Sequence, residues 1–165
     1  MTTHEELKSL FIYGTSTGNF YRKTSPCNSV KIGDKAGTVK ANGYTYIRFQ
    51  GKQQAAHRLA WLFIYGRWPT KRLDHINGDK ADNRMCNLRL VTQSENQLNR
   101  KLCSRSSTGI KGVSTHSASG KYQVTLSVDG VKRHFGLFGS IELAELVARG
   151  AREKYHGEYC NHGTE

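Results

Sequence analysis

Long apolar runs are missing from this chain. None of its 165 residues lie in a stretch approaching the about 20 apolar residues that a membrane-spanning helix needs. There is also no basic amphipathic helix with an exposed apolar face, which argues against a membrane surface as partner. Cysteine is sparse and scattered. Cys27, Cys86, Cys103 and Cys160 form no C-x-x-C pair and no Cys/His quartet at finger spacing, so no structural zinc is expected and the thiols read as free. The first residues, "MTTHEELKSLFIYG", carry acidic side chains early and no long apolar stretch, unlike a signal peptide, and a cytoplasmic protein is expected. Acidic residues are the other shortage. Asp and Glu number 13 against 25 Lys and Arg, a formal charge of +12. An excess of that size in a small protein suits a polyanion, and nucleic acid is the commonest. No aromatic stacking platform is evident, which weakens RNA as the partner relative to DNA.

Three textures follow one another along the chain. Residues 10 to about 55 hold short alternating stretches ("LFIYG", "NFYRK", "YTYIRFQGK") broken by Gly and Asn, the pattern of hairpin strands in a small antiparallel sheet. "AAHRLAWLFIYG" then reads as a buried helix ending at Gly66, with Pro69 beyond it as a stop. Residues 72–75 and 88–91 read as short strands around a polar loop. "TQSENQLNRKL" follows with Thr92 and Glu95 in capping-box spacing. Strand, loop, strand and helix make a ββα unit over about residues 72–102. A first domain over 1–102 is expected, then a small polar linker, then a second α+β domain over 107–160.

In the second domain, "KYQVTLSVDGVKRHFGLF" alternates around Asp129-Gly130, a two-residue hairpin signal. With that pair as the turn, Val128 faces Val131, Ser127 faces Lys132, Leu126 faces Arg133 and Thr125 faces His134. Tyr122, Val124, Leu126, Val128 and Phe135 then share the face toward a helix capped by Ser140, whose own face carries Ala144, Val147, Ala148, Ala151 and Tyr155. Gln123, Thr125, Ser127, Lys132 and His134 share the other face, polar and basic. Such a face suits DNA, although on pattern alone an ordinary solvated sheet face is the better explanation. Arg133 falls on the packed side, which requires that it snorkel past the edge or that the register differ by one.

Chemistry concentrates in "LDHINGDKADNRMCNLRLVTQSEN", residues 73–96. The carboxylate of Asp74 and the amide oxygen of Asn96 are hard donors suited to Mg²⁺ or Mn²⁺. A neutral His75 beside them can take a proton from water near neutral pH. These parts suffice for metal-assisted phosphodiester hydrolysis. Asn77, Gly78, Asp79 and Asp82 read as turn formers.

"DHINGDKADNRMCNLRLVTQSEN", with the preceding "AAHRLAWLFIYGRWP", closely resembles the HNH endonuclease motif in its phage and group I intron branch, over roughly residues 40–100. The resemblance implies a ββα-metal nuclease with His75 as general base. Asp74 and Asn96 would hold one divalent cation, Mg²⁺ first and Mn²⁺ second. Asn87 would pin the loop through side-chain hydrogen bonds, with Asn83 as the alternative for that role. "TGIKGVSTHSASGKYQVTLSVDGVKRHFGLFGSIELAELVARGAREKYHGEYCN" resembles an AP2 DNA-binding domain, a three-stranded sheet backed by one helix. That resemblance implies a DNA face of Lys111, Ser114, His116, Thr125, Ser127, Lys132 and His134. Since Lys111 alternates with core-like Val113, the first strand must twist or bulge.

The α+β chain is therefore expected to be a metal-dependent, homing-type endonuclease acting on double-stranded DNA, in a bacterial host's cytoplasm if phage-encoded. No protein partner is evident, and cutting both strands would need a homodimer or sequential nicks. The second reading is a DNA-binding regulator with an inactive HNH site.

Overall fold

The computed structural model describes residues 2–98, 102, 106–128, 130–160 and 162. They form a mixed α+β chain of small antiparallel sheets and short helices, in two compact units, Met1–Val91 and Thr92–Glu165. No helix among the described residues is long and apolar enough to cross a membrane.

The first unit opens on a helix with no counterpart among the expected strands, α1 (Thr3–Leu10). Thr2 Oγ1 accepts from Glu5 N while the Glu5 carboxylate accepts from Thr2 N, a reciprocal cap that satisfies two donors no helical carbonyl can reach. Two three-stranded sheets follow where one was expected. β1 (Phe11–Gly14), β2 (Asn19–Arg22) and β3 (Lys35–Ala36) form the first, and β4 (Thr38–Val39), β5 (Thr45–Phe49) and β6 (Lys52–Ala55) the second. Gly37 divides them at φ +106, and a Cβ there would meet the Ile47 and Thr45 side chains at 2.9 Å. The backbone can cross that point only without a side chain.

Helix α2 (Ala56–Tyr65) ends at the expected glycine, with Gly66 left-handed at φ +70. It is buried on one face rather than all round. Ala56, Leu59, Ala60 and Leu62 enter the core, while Ile64 and Tyr65 are exposed. That core also takes Leu7, Phe11, Phe20, Ile47, Phe49 and Leu88. Strands β7 (Arg72–His75) and β8 (Leu88–Val91) pair antiparallel at the expected positions.

The second unit begins with α3 (Gln93–Leu98), capped as expected. Thr92 N donates to Glu95 Oε2 at 2.6 Å and Glu95 N to Thr92 Oγ1 at 3.3 Å. A three-stranded sheet in the order β11-β10-β9 follows, from β9 (Val113–Thr115), β10 (Tyr122–Val128) and β11 (Val131–Phe138). It lies against α4 (Ile141–His156), capped by Ser140 Oγ accepting from Leu143 N. From Val128↔Val131 to Thr125↔His134 the register is the expected one; turn residue Asp129 lies outside the described residues. Between Val124 and Thr125 the ladder slips, so that Val124 faces Gly136 and Phe135 is the extra, bulged residue. Arg133 keeps its place in that register and reaches out over the Tyr155 ring, 5.7 Å from its centroid. Snorkelling, not a shifted register, is how the strand accommodates it.

Candidate functional site

β7 and β8 set two residues side by side at the start of the polar loop. Asp74 stands opposite Arg89 and His75 opposite Leu88. Asp74 Oδ2 accepts from Arg89 Nε at 3.2 Å and Nη2 at 3.1 Å, an ion pair that is mostly buried on both sides. His75 is only 3% exposed.

The loop from Ile76 to Asn87 is built by its own polar side chains. Asn77 Oδ1 accepts from Asp79 N and Asp79 Oδ1 from Ala81 N, both at 2.9 Å. Asp82 binds Arg84 Nε at 2.8 Å and Nη2 at 2.6 Å, and that guanidinium draws its carboxyl down to about 2. Asx turns of this kind replace the hydrogen bonds that a strand would have made. Asn87 closes the loop from inside. Its Oδ1 accepts from Asn77 N at 3.0 Å and its Nδ2 donates to Asp82 O at 2.8 Å.

Asn83, the other candidate for that pin, does something different. It is 2% exposed, its Nδ2 donates to Ala81 O at 2.9 Å, and its Oδ1 lies 3.4 Å from His75 Nε2. An amide oxygen only accepts, so this contact requires the hydrogen on Nε2 and makes Nδ1 the basic nitrogen of neutral His75. Burial lowers the His75 pKa; the Asn83 contact and the nearby Asp74, Asp79 and Asp82 charges oppose that shift without cancelling it.

Two further rings belong to this cluster and carry no signal in the strand pattern. His57, at the start of α2, meets His75 edge-on at 5.1 Å, and Tyr44 lies tilted at 5.3 Å from His57 and 5.8 Å from His75. Burial, with help from His75 and Arg58, lowers His57 to about 4. Its pKa is depressed from about 6.5, so the unfolded chain binds the proton more readily over that interval. Stability is therefore undiminished above pH about 6.5 and is lost progressively as pH falls toward about 4. Thermal melts across that range should show the loss, and His57→Gln should flatten it; an unaltered slope in the variant would assign it to other groups.

Asn96 lies on α3, in the second unit. Asp74 and Asn96 each carry a hard oxygen donor, the kind that suits Mg²⁺, which keeps several waters and takes few protein ligands. Among the described residues no three His, Cys, Asp or Glu side chains converge as a metal cage.

In the second unit, the outward rows of the sheet are Ser114–Gln123–Leu137, Thr125–His134 and Ser127–Lys132. Ser127, Lys132 and His134 are exposed and Thr125 is half-buried. His116 sits at the β9–β10 turn, with Nδ1 2.9 Å from Ser119 Oγ. Lys111 is placed differently from the others. It is half-buried, its Nζ donates to Leu98 O at 2.9 Å, and burial lowers it to about 8. Its carbonyl accepts from the buried Arg152 guanidinium.

The chain is similar to known proteins in three comparisons. Protein 3.8 of Escherichia phage T7 is 29% identical over 88 residues, which cover 53% of this chain and 72% of that protein. A solved structure of the HNH homing endonuclease I-HmuI, described as DNA binding and cleavage by that enzyme, aligns with 76% of this chain and 71% of its own. The identity there is 26% and the TM-score 0.40. Residues 54–98, a segment that contains β7, the Asn-pinned loop, β8 and α3, match the family model described as HNH endonuclease.

Proposed function

We propose that the chain is a DNA endonuclease of the homing type, hydrolysing phosphodiester bonds with His75 as general base. The observation that carries this reading is His75 itself. It is a buried imidazole, fixed at the mouth of a loop held by Asn87, with its Nε2 facing an oxygen that can only accept. Kept neutral by burial, His75 can take a proton from an attacking water at Nδ1. A divalent cation, Mg²⁺ or Mn²⁺, held by Asp74 and Asn96 would supply charge neutralisation at the phosphate. Arg89 fixes the Asp74 carboxylate against rotation through two hydrogen bonds to one oxygen. A net charge of +12 favours the approach of DNA.

The second unit serves as an AP2-like DNA-binding domain in this reading. Ser114, Thr125, Ser127, Lys132 and His134 would face the DNA, with His116 at the rim and Lys111 just ahead of the first strand. Lys132→Ala should weaken binding and lower the salt dependence by about one phosphate contact, measured as log Kd against log salt. An unchanged slope would remove Lys132 from that role.

The Asp74–Arg89 ion pair also favours a second reading, a DNA-binding regulator with an inactive HNH site, because the cation must share that carboxylate with a guanidinium. Supercoiled plasmid incubated with the protein in Mg²⁺ or EDTA separates the two. Nicking in Mg²⁺ that stops in EDTA supports the nuclease, whereas DNA retardation without nicking in either supports the regulator.

A further inference from the structure

Tyr13 is in the wrong place to be only a core aromatic. It packs with Phe20 and Phe63, which a phenylalanine would do as well, yet its hydroxyl makes a buried bond to a residue 70 positions away. Tyr13 Oη donates to Asn83 O at 2.7 Å, and burial pushes the hydroxyl up to about 12, so it remains a donor throughout the working range. The same hairpin touches Asn83 again at its turn. Gly18 has φ +70, and a Cβ there would fall 2.5 Å from Arg84 N and 2.7 Å from Asn83 C. The turn backbone thus lies directly on the Asn83–Arg84 peptide. Asn83 is held from three sides: Tyr13 and the Gly18 turn on its backbone, and Ala81 O on its Nδ2. Its remaining polar side-chain atom, Oδ1, faces His75 Nε2.

We propose that the β1–β2 hairpin is a positioning element for His75, in which Tyr13 and the Gly18 turn clamp Asn83 and Asn83 Oδ1 fixes the Nε2–H tautomer. This rests on the reading of His75 as general base, and it adds Tyr13 and Asn83 as residues that act through it. An imidazole free to exchange tautomers presents the wrong nitrogen to water for part of the time. A clamp on the neighbouring amide removes that loss, because positioning within a few tenths of an ångström governs proton transfer.

The test uses the full chain labelled with ¹⁵N, near neutral pH, with His75 ring signals assigned by difference against His75→Gln. The wild type should show the Nε2–H tautomer. Asn83→Ala should give a mixture, and Tyr13→Phe should shift part of the way. Single-turnover nicking by folded Tyr13→Phe should slow between about 10- and 100-fold with DNA affinity unchanged, the size of effect expected from a misplaced catalytic group. Tyr13→Phe removes one oxygen and keeps the ring in the core, so it carries the test should Asn83→Ala fail to fold. Identical His75 ring signals in wild type and Tyr13→Phe, or an undiminished Tyr13→Phe nicking rate in a protein that His75→Gln inactivates, would overturn the clamp. Absence of nicking by the wild type with any divalent cation sinks the nuclease reading instead, and the ring signals still decide the clamp.

Discussion

His75→Ala should slow Mg²⁺-dependent single-turnover nicking by about 10²–10⁴-fold, the range a general base contributes, while leaving DNA retardation intact. The expectation follows from position more than from residue type. His75 is buried, faces the only-accepting Oδ1 of Asn83 and follows Asp74 at the end of β7. Truncation also leaves Asn83 Oδ1 without its imidazole partner, an orphaned acceptor that costs about 1–3 kcal/mol. Rates should therefore be compared well below the melting midpoint. His75→Gln is the sharper companion. Its amide can still donate toward Asn83, yet it has no basic nitrogen, so a folded and inactive protein is expected. Nicking that survives both substitutions, or that survives EDTA, would remove His75 and the cation from the reaction together.

The ends of the ββα segment were legible because each has a local physical signature. Thr92 and Glu95 announce a reciprocal cap, and Leu88, Leu90 and Val91 mark the strand that pairs with Arg72–His75. The hairpin of the second unit was legible for the same reason, since Asp129-Gly130 fixes the register of the four pairs beside it. Alternation then fails at Phe135 and Gly136, where the bulge shifts the ladder. Gly136 sits at φ +132, with the Phe138 ring 2.8 Å from where a Cβ would be. The division of labour between Asn83 and Asn87 left no trace in sequence. Both are Asn in one loop, and what separates them is a hydroxyl from Tyr13, 70 residues away. Arg152 misleads in a similar way. Read on the helix it is one more basic side chain, yet it is 1% exposed and donates to Lys111 O. Long-range contacts of this kind have no period, so no window along the chain can reveal them.

Phe20→Ala should have the largest effect on stability, and it tests whether the two cores are separate. Phe20 is 1% exposed and sits at the centre of an aromatic cluster, with Tyr13 at 5.0 Å and Phe11 and Phe63 each at 6.1 Å. Removing the ring leaves a void between two rigid strands and α2, and such truncations cost about 3–5 kcal/mol. A domain of this size has about 5–15 kcal/mol in total, so the first unit should melt roughly 15–30 °C lower. The second unit is built on different residues, Val113, Val124 and Ala148 near one end and Leu126, Val128 and Ala151 near the other. Calorimetry should accordingly show one transition displaced and another unmoved, and Val124→Ala should reverse the pattern. Phe20→Leu should recover much of the loss, because it refills most of the void with apolar volume. Nicking should disappear at a temperature where Phe20→Ala has lost its first unit, while DNA retardation through the second persists. Parallel displacement of every transition by Phe20→Ala would mean that the two cores unfold as one.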